Sequence, residues 1–143
     1  MVAVERSFIV TAPRAVLVDY LKDFSHAQEW DPGTRTCERV DAGAVRVGST
    51  WTNVSVFRGR ETRLTYRLVR MDEGRLVFVG ENTSVTTTDD LLLTPVPDGT
   101  LLTYRARLDF KGWRKLAAPF LRKDFDRLAD EVERAMPRVL GKL

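Results

Sequence analysis

The chain has 143 residues, of which 30% are charged and 43% hydrophobic, with 23 Lys and Arg against 20 Asp and Glu for a net charge of +3. That balance excludes a disordered tail and a fibrous repeat, suits one domain over residues 1–143, and is too weak in charge to specify a nucleic acid by composition. One cysteine, Cys37, leaves no internal disulfide, and one histidine, His26, leaves no pair of soft ligands for structural zinc, so neither a metal nor another cofactor is expected.

No window approaches the ~18 consecutive apolar residues of a membrane span, and Met1 leads directly into a strand pattern, so a cytoplasmic location without stable membrane insertion is expected. From Val2 to Thr11 apolar residues alternate, with Val2, Val4, Phe8 and Val10 on one side and Arg6 interrupting them. Thr11 and Pro13 open a helix over 14–22, in which Val16, Leu17, Tyr20 and Leu21 recur at helical spacing and continue to Phe24. Ser25 followed by Gln28 forms a capping-box pattern for a second, very short helix. Asp31 ends that helix because the residue before a proline is pushed away from helical angles, and Trp30 sits at its end.

From Arg35 onward the pattern is a meander. Its turns are marked by Asp41-Ala42-Gly43, Arg58-Gly59-Arg60, Asp72-Glu73-Gly74, Asn82-Thr83 and Pro97-Asp98-Gly99. Alternation is clearest over 61–71, where Leu64, Tyr66 and Leu68 oppose Arg63, Thr65 and Arg67, and again where Leu102, Tyr104, Ala106 and Leu108 oppose Arg105 and Arg107. Hairpin-length connections predict antiparallel pairing, and the dry face needs a helical cover. The segment from Trp113 to Met136 supplies it, with Trp113, Leu116, Phe120, Leu121, Phe125, Leu128, Val132 and Met136 along one side. Pro119 is expected to kink this helix and Pro137 to end it.

These elements, together with Thr11-Ala12-Pro13, Asp23-Phe24, Trp30-Asp31-Pro32, Leu64-Thr65-Tyr66-Arg67, Pro97-Asp98-Gly99-Thr100 and Leu116-Ala117-Ala118-Pro119, carry a family likeness. The chain resembles the START-like helix-grip superfamily and, within it, the polyketide cyclase/dehydrase family of small bacterial proteins. The resemblance implies an α+β fold, in which a curved seven-stranded antiparallel sheet wraps around the long C-terminal helix and two short helices lie between strands 1 and 2. It also implies a cavity that in relatives holds lipids, sterols, polyketides or other apolar molecules. Relatives include both enzymes and pure binders, so the fold does not choose between them.

A sheet curved around one helix leaves space at its ends, and a pocket of ~300–1,000 Å³ is the usual size for a small ligand. The inward residues expected to contact a ligand are Trp51 and Asn53, if odd-numbered residues of that strand face in, with Tyr66, Phe78, Asp90, Leu92, Tyr104, Phe120 and Phe125. Trp30 is expected either to plug one end of the core or to stand at a ligand portal. Asp89 and Asp90 are adjacent in a strand and point to opposite faces, so they cannot pair on one substrate. Asp90 facing inward is the best ionisable candidate, and a partner such as Arg105 is the commoner arrangement. His26 reads as a solvated surface side chain rather than a general base.

Nucleophilic and nucleotide chemistry lack their motifs: there is no Gly-x-Ser-x-Gly elbow and no phosphate-cradling glycine loop. The leading expectation is a binder of an apolar or aromatic small molecule, lipid or polyketide-like. The alternative is a polyketide cyclase, dehydratase or aromatase, which needs several of Tyr66, Tyr104, Asp90 and Asn53 to converge on one void. A third reading, an acidic-partner surface built on Arg58, Arg60, Arg63, Arg67, Arg70 and Arg75, lacks the interleaved aromatics that stack bases, so no nucleic-acid partner is expected. The self-association expected is a monomer or weak homodimer.

Overall fold

In the computed structural model, which describes residues 1–143, the strands are β1 (Val2–Val10), β2 (Thr34–Arg39), β3 (Thr50–Phe57), β4 (Arg60–Asp72), β5 (Arg75–Glu81), β6 (Val85–Val96) and β7 (Gly99–Phe110). They form a single antiparallel sheet in the order β1-β7-β6-β5-β4-β3-β2. Short turns join β3 through β7, a longer loop over 40–49 joins β2 to β3, and β1 closes the far edge on β7. Register shifts at Thr34/Thr36 and Leu68/Arg70 add the local twist that bends the layer. Between β1 and β2 lie α1 (Arg14–Leu21), a 3₁₀ turn (Phe24–His26) and α2 (Ala27–Trp30).

The first turn departs from the capping box. Asp23 caps the 3₁₀ turn, its Oδ1 accepting from Ser25 N at 3.0 Å and Ser25 Oγ at 2.7 Å, while Gln28 Nε2 donates to the Ser25 and Cys37 carbonyls. His26 is not free in solvent: its ring stacks on Tyr20 with centroids 4.1 Å apart, and its Nδ1 lies 2.7 Å from the Tyr20 carbonyl.

The long helix α3 (Ala118–Leu140) follows a 3₁₀ segment, Gly112–Ala117. Pro119 falls in the first turn of α3, where a missing N–H leaves nothing unpaired, so it starts the helix instead of kinking it. Pro137 does not stop it either. The chain runs one further turn, held by Met136 and Leu140, both fully buried.

The apolar side chains of α3 from Phe125 onward pack on the inner face of the sheet, as their spacing predicts. On that face Arg6 of β1 ties sheet to helix, donating to Asp130 Oδ1 at 2.8 Å and to the Asp126 carbonyl at 3.3 Å. The upstream part of the predicted stripe does not pack. Trp113, Leu116 and Phe120 are 73%, 77% and 80% exposed. A 3₁₀ turn has about three residues per turn, so the 3.6-residue spacing that predicted one buried side does not hold through 112–117.

Phe24, Trp30, Trp51 and Phe78 fill the end of the core under the short helices, with ring centroids 4.5 to 6.2 Å apart for Phe24 against each of the others. At the hairpin joining β6 to β7, Gly99 has φ +139, and a Cβ there would lie 2.1 Å from the Val10 carbonyl, so only glycine lets the end of β1 pass this close. No helix is long and apolar enough to cross a membrane.

Candidate functional site

Between the sheet and α3 lies a cavity of about 170 Å³. Its walls come from Val4, from Leu64 and Tyr66 of β4, from Val85, Thr87 and Asp89 of β6, from Tyr104 and Ala106 of β7, and from Phe125, Leu128, Ala129 and Val132 of α3. This is below the range expected for a small-ligand pocket and close to the ~150 Å³ of an apolar cavity that holds one benzene ring. Half-exposed lining side chains at the β3–β4 hairpin and the start of α3, Val56, Phe57, Phe110 and Phe125, bring the cavity to the surface there, and Asp31 and Gly33 are half-exposed at its other side. The cavity thus has a mouth by the β3–β4 hairpin and the start of α3, and Trp30 is not part of its lining.

The floor is polar. Asp89 is buried at 8% exposure and receives the Tyr104 hydroxyl at 3.3 Å, while Thr87 Oγ1 donates to the Tyr66 hydroxyl at 2.8 Å. Asp31 reaches the same cavity from the end of α2, its carboxylate accepting from Gly33 N and Thr34 Oγ1, both at 2.9 Å. Burial pushes the Asp89 carboxyl up to about 7, the charge of Asp31 adds to the rise, and the phenols of Tyr104 and Tyr66 oppose it. Burial raises Asp31 as well, against the bonds from Thr34 and Gly33. Both tyrosines, buried and close to Asp89, are held well above the ordinary phenol value and stay neutral donors. The lining contains one cation, Arg107, and it is engaged by Asp109 at 2.7 Å. Asp89 therefore faces the void without a counter-charge, and near neutral pH it can both give and take a proton.

Gly80 makes room for this floor. A Cβ at that position would sit 2.6 Å from Tyr66 Cζ, because the phenol ring lies flat over the β5 backbone. Gly80→Val is expected to drive Tyr66 out of place and cost about 1–3 kcal/mol, read by urea denaturation. Parental stability in that variant would mean the ring can move freely.

Of the residues expected to contact a ligand, Tyr66, Tyr104 and Phe125 line the cavity. Asn53 does face inward, as the odd-numbered phase requires, but it is buried beside the wall, donating to Thr34 Oγ1 at 3.2 Å and accepting from Ser55 Oγ at 2.5 Å. Trp51 is fully buried, and its Nε1 donates to Asp23 Oδ1 at 3.0 Å. Burial alone pushes the Asp23 carboxyl up, but the donors of Ser25 and Trp51 hold it below the usual carboxylate range. Trp30 and Phe78 pack in the same aromatic plug, and Trp30 backs onto Tyr104 with centroids 6.0 Å apart.

Three placements are corrected. Asp90 stands on the outer face, where Arg75, rather than Arg105, binds it through Nε at 3.0 Å and Nη2 at 2.7 Å. Leu92 is on that outer face too, since Leu91 and not Leu92 pairs with Tyr104. Phe120 projects into solvent. Asp89, Asp31 and Thr87 are the floor residues that the sequence reading missed. Of the arginine cluster, Arg58, Arg70 and Arg75 are paired with Asp124, Asp72 and Asp90. Cys37 is buried, which pushes its thiol up to about 12 and removes it as a nucleophile.

A sequence model of the family described as polyketide cyclase/dehydrase and lipid transport matches residues 1–137. The chain belongs to this family. Its helix-grip architecture agrees with solved structures of low sequence identity. The Zhui aromatase/cyclase of a Streptomyces species superposes with a TM-score of 0.80 at 14% identity, over 98% of this chain and 93% of that one. A START superfamily protein from Mycobacterium smegmatis gives 0.79 at 14% identity, over 98% and 97%. The major latex-like protein 151 of Panax ginseng gives 0.70 at 11%, over 95% of each chain. At these identities the likeness establishes the polyketide cyclase/dehydrase fold and leaves the chemistry to the site itself. No curated protein matches the chain in sequence.

Proposed function

We propose that this polyketide cyclase/dehydrase family protein binds a small apolar or aromatic molecule, lipid or polyketide-like, whose carbonyl or hydroxyl meets Asp89 and Tyr104. The observation that carries this reading is an apolar-walled cavity ending on a buried, uncompensated carboxyl beside two neutral phenols. The walls supply transfer free energy for a ring or acyl chain, and the floor fixes its polar end. A guest larger than about one ring projects through the mouth between Phe57 and Phe110.

A second reading, cyclisation or dehydration of a polyketide-like guest, is favoured by Asp89 alone. A carboxyl poised at about 7 can take a proton α to a carbonyl and return it to a leaving hydroxyl, with Tyr104 steadying the oxygen on which charge develops.

Native mass spectrometry of the protein purified from its own host tests the binding reading. A co-purifying apolar compound is expected in the parent and at least tenfold less of it in Ala106→Leu, which fills the void with an aliphatic side chain. Equal loading in both proteins, or a parent that carries no compound and binds no naphthol-type probe, contradicts it. Turnover of a bound poly-β-keto analogue that Asp89→Asn abolishes, with its binding retained, selects the catalytic reading over the carrier.

A further inference from the structure

The segment from Lys111 to Lys123 is the least explained part of the surface. It holds the three most exposed large apolar side chains of the molecule, Trp113, Leu116 and Phe120, at 73%, 77% and 80%. It also carries Lys111, Arg114, Lys115, Arg122 and Lys123 and no acidic residue, a local charge of +5 against +3 for all 143 residues. Apart from Lys111, which reaches Glu81 at 3.3 Å, these cations make no ion pair, and Arg114 lies over the Trp113 ring at 4.8 Å. Burial of such side chains against the sheet is the default for a helix-grip stripe, and here Trp113 and Leu116 leave it on the 3₁₀ turn and Phe120 faces out from the first turn of α3.

We propose that this segment is a docking element for an anionic lipid surface. Protruding Trp, Leu and Phe enter the boundary between headgroups and acyl chains, and the interspersed Lys and Arg engage lipid phosphates; this pairing of residue types is that of an interfacial anchor. A protein partner is the poorer match, since protein interfaces depend on a few aromatic anchors within a wide packed patch, and here three isolated, highly exposed side chains are interspersed with unpaired cations. Placement adds an independent reason. Phe110 and Phe125, which flank the segment in sequence, both line the cavity, so docking sets the mouth against the lipid. The paired Arg58 and the exposed Arg60 of the β3–β4 hairpin lie on the same side, Arg58 through its contact with Asp124 of α3. The docking itself does not depend on which guest the cavity takes.

The test is flotation with vesicles of phosphatidylcholine alone and of phosphatidylcholine with an equal part of phosphatidylglycerol, read together with tryptophan emission. Trp30 and Trp51 are already buried at 1% and 0% exposure, so a vesicle-induced blue shift reports Trp113. Binding is expected on the anionic vesicles only, with a blue shift, weakening as salt screens the cations. Trp113→Ala and Phe120→Ala are each expected to lower it about tenfold or more. Arg114→Gln and Lys115→Gln should each lower it about fivefold. All four are surface substitutions, and unchanged urea denaturation serves as the check that each variant is folded. Three results overturn the proposal: no flotation with either vesicle; flotation without a blue shift and indifferent to Trp113→Ala, which is adsorption by charge alone; or a concentration-dependent dimer that Trp113→Ala dissolves, which assigns the face to a second copy.

Discussion

Asp89→Asn should make the protein more stable at pH 8 by up to roughly 4 kcal/mol, the free energy that corresponds to raising a carboxyl from 3.8 to about 7. The direction follows from proton counting. Between those two values the unfolded chain has released the Asp89 proton and the folded protein still holds it, so stability falls as the pH rises. The contribution of the protonated carboxyl is complete below 3.8 and gone once the pH passes about 7. Asparagine keeps an oxygen that can accept from Tyr104 at the same position and cannot ionise, so the variant lacks this fall. Urea denaturation of parent and variant at pH 5.5 and 8 measures it. A gain at pH 8 no larger than at pH 5.5 would place Asp89 in contact with water or a counter-ion and remove the basis for its proton-transfer role.

Trp30→Ala is expected to cost about 3–5 kcal/mol, as truncation of a large core aromatic does, with little direct effect on exchange of a bound molecule. Trp30 is 1% exposed, edge-on to Phe24 and Tyr104, and absent from the lining of the mouth. It is a plug, not a portal. Its indole Nε1 is also the one buried side-chain donor without a partner. Removing an unsatisfied buried N–H relieves about 1–3 kcal/mol, which offsets part of the lost ring volume in Trp30→Phe. The phenylalanine variant should therefore fall within about 2 kcal/mol of the parent. Thermal and urea unfolding of both variants decides this. A Trp30→Ala protein of parental stability that releases its guest faster would restore the portal reading.

Whether Asp89 or its neighbour reaches the cavity depends on the side of the sheet on which each falls. Both phases of β6 carry one aspartate and apolar residues, so alternation alone does not say whether Asp89 or Asp90 faces in. The hairpin decides. The two-residue turn Pro97-Asp98 pairs Val96 with Gly99 and hence Leu91 with Tyr104 and Asp89 with Ala106, which brings Asp89 to the inner face. That count could have been made from the residues, given the inward phase of Tyr104. Asp31 could not have been found in this way. It reaches the cavity because α2 and the turn after it are folded back under the sheet, a contact across the sequence that no local periodicity encodes.

What the sequence determined by itself was the order of elements, the antiparallel pairing and the family, because hairpin-length turns, strand alternation and a helical stripe are all local signals. Tertiary structure alone decided the depth of the cavity, the arrival of Asp31 at it and the outward turn of Trp113, Leu116 and Phe120. Burial, counter-charge and the space left between packed layers are properties of groups distant along the chain. An apolar residue at helical spacing carries no record of whether a surface lies opposite to receive it.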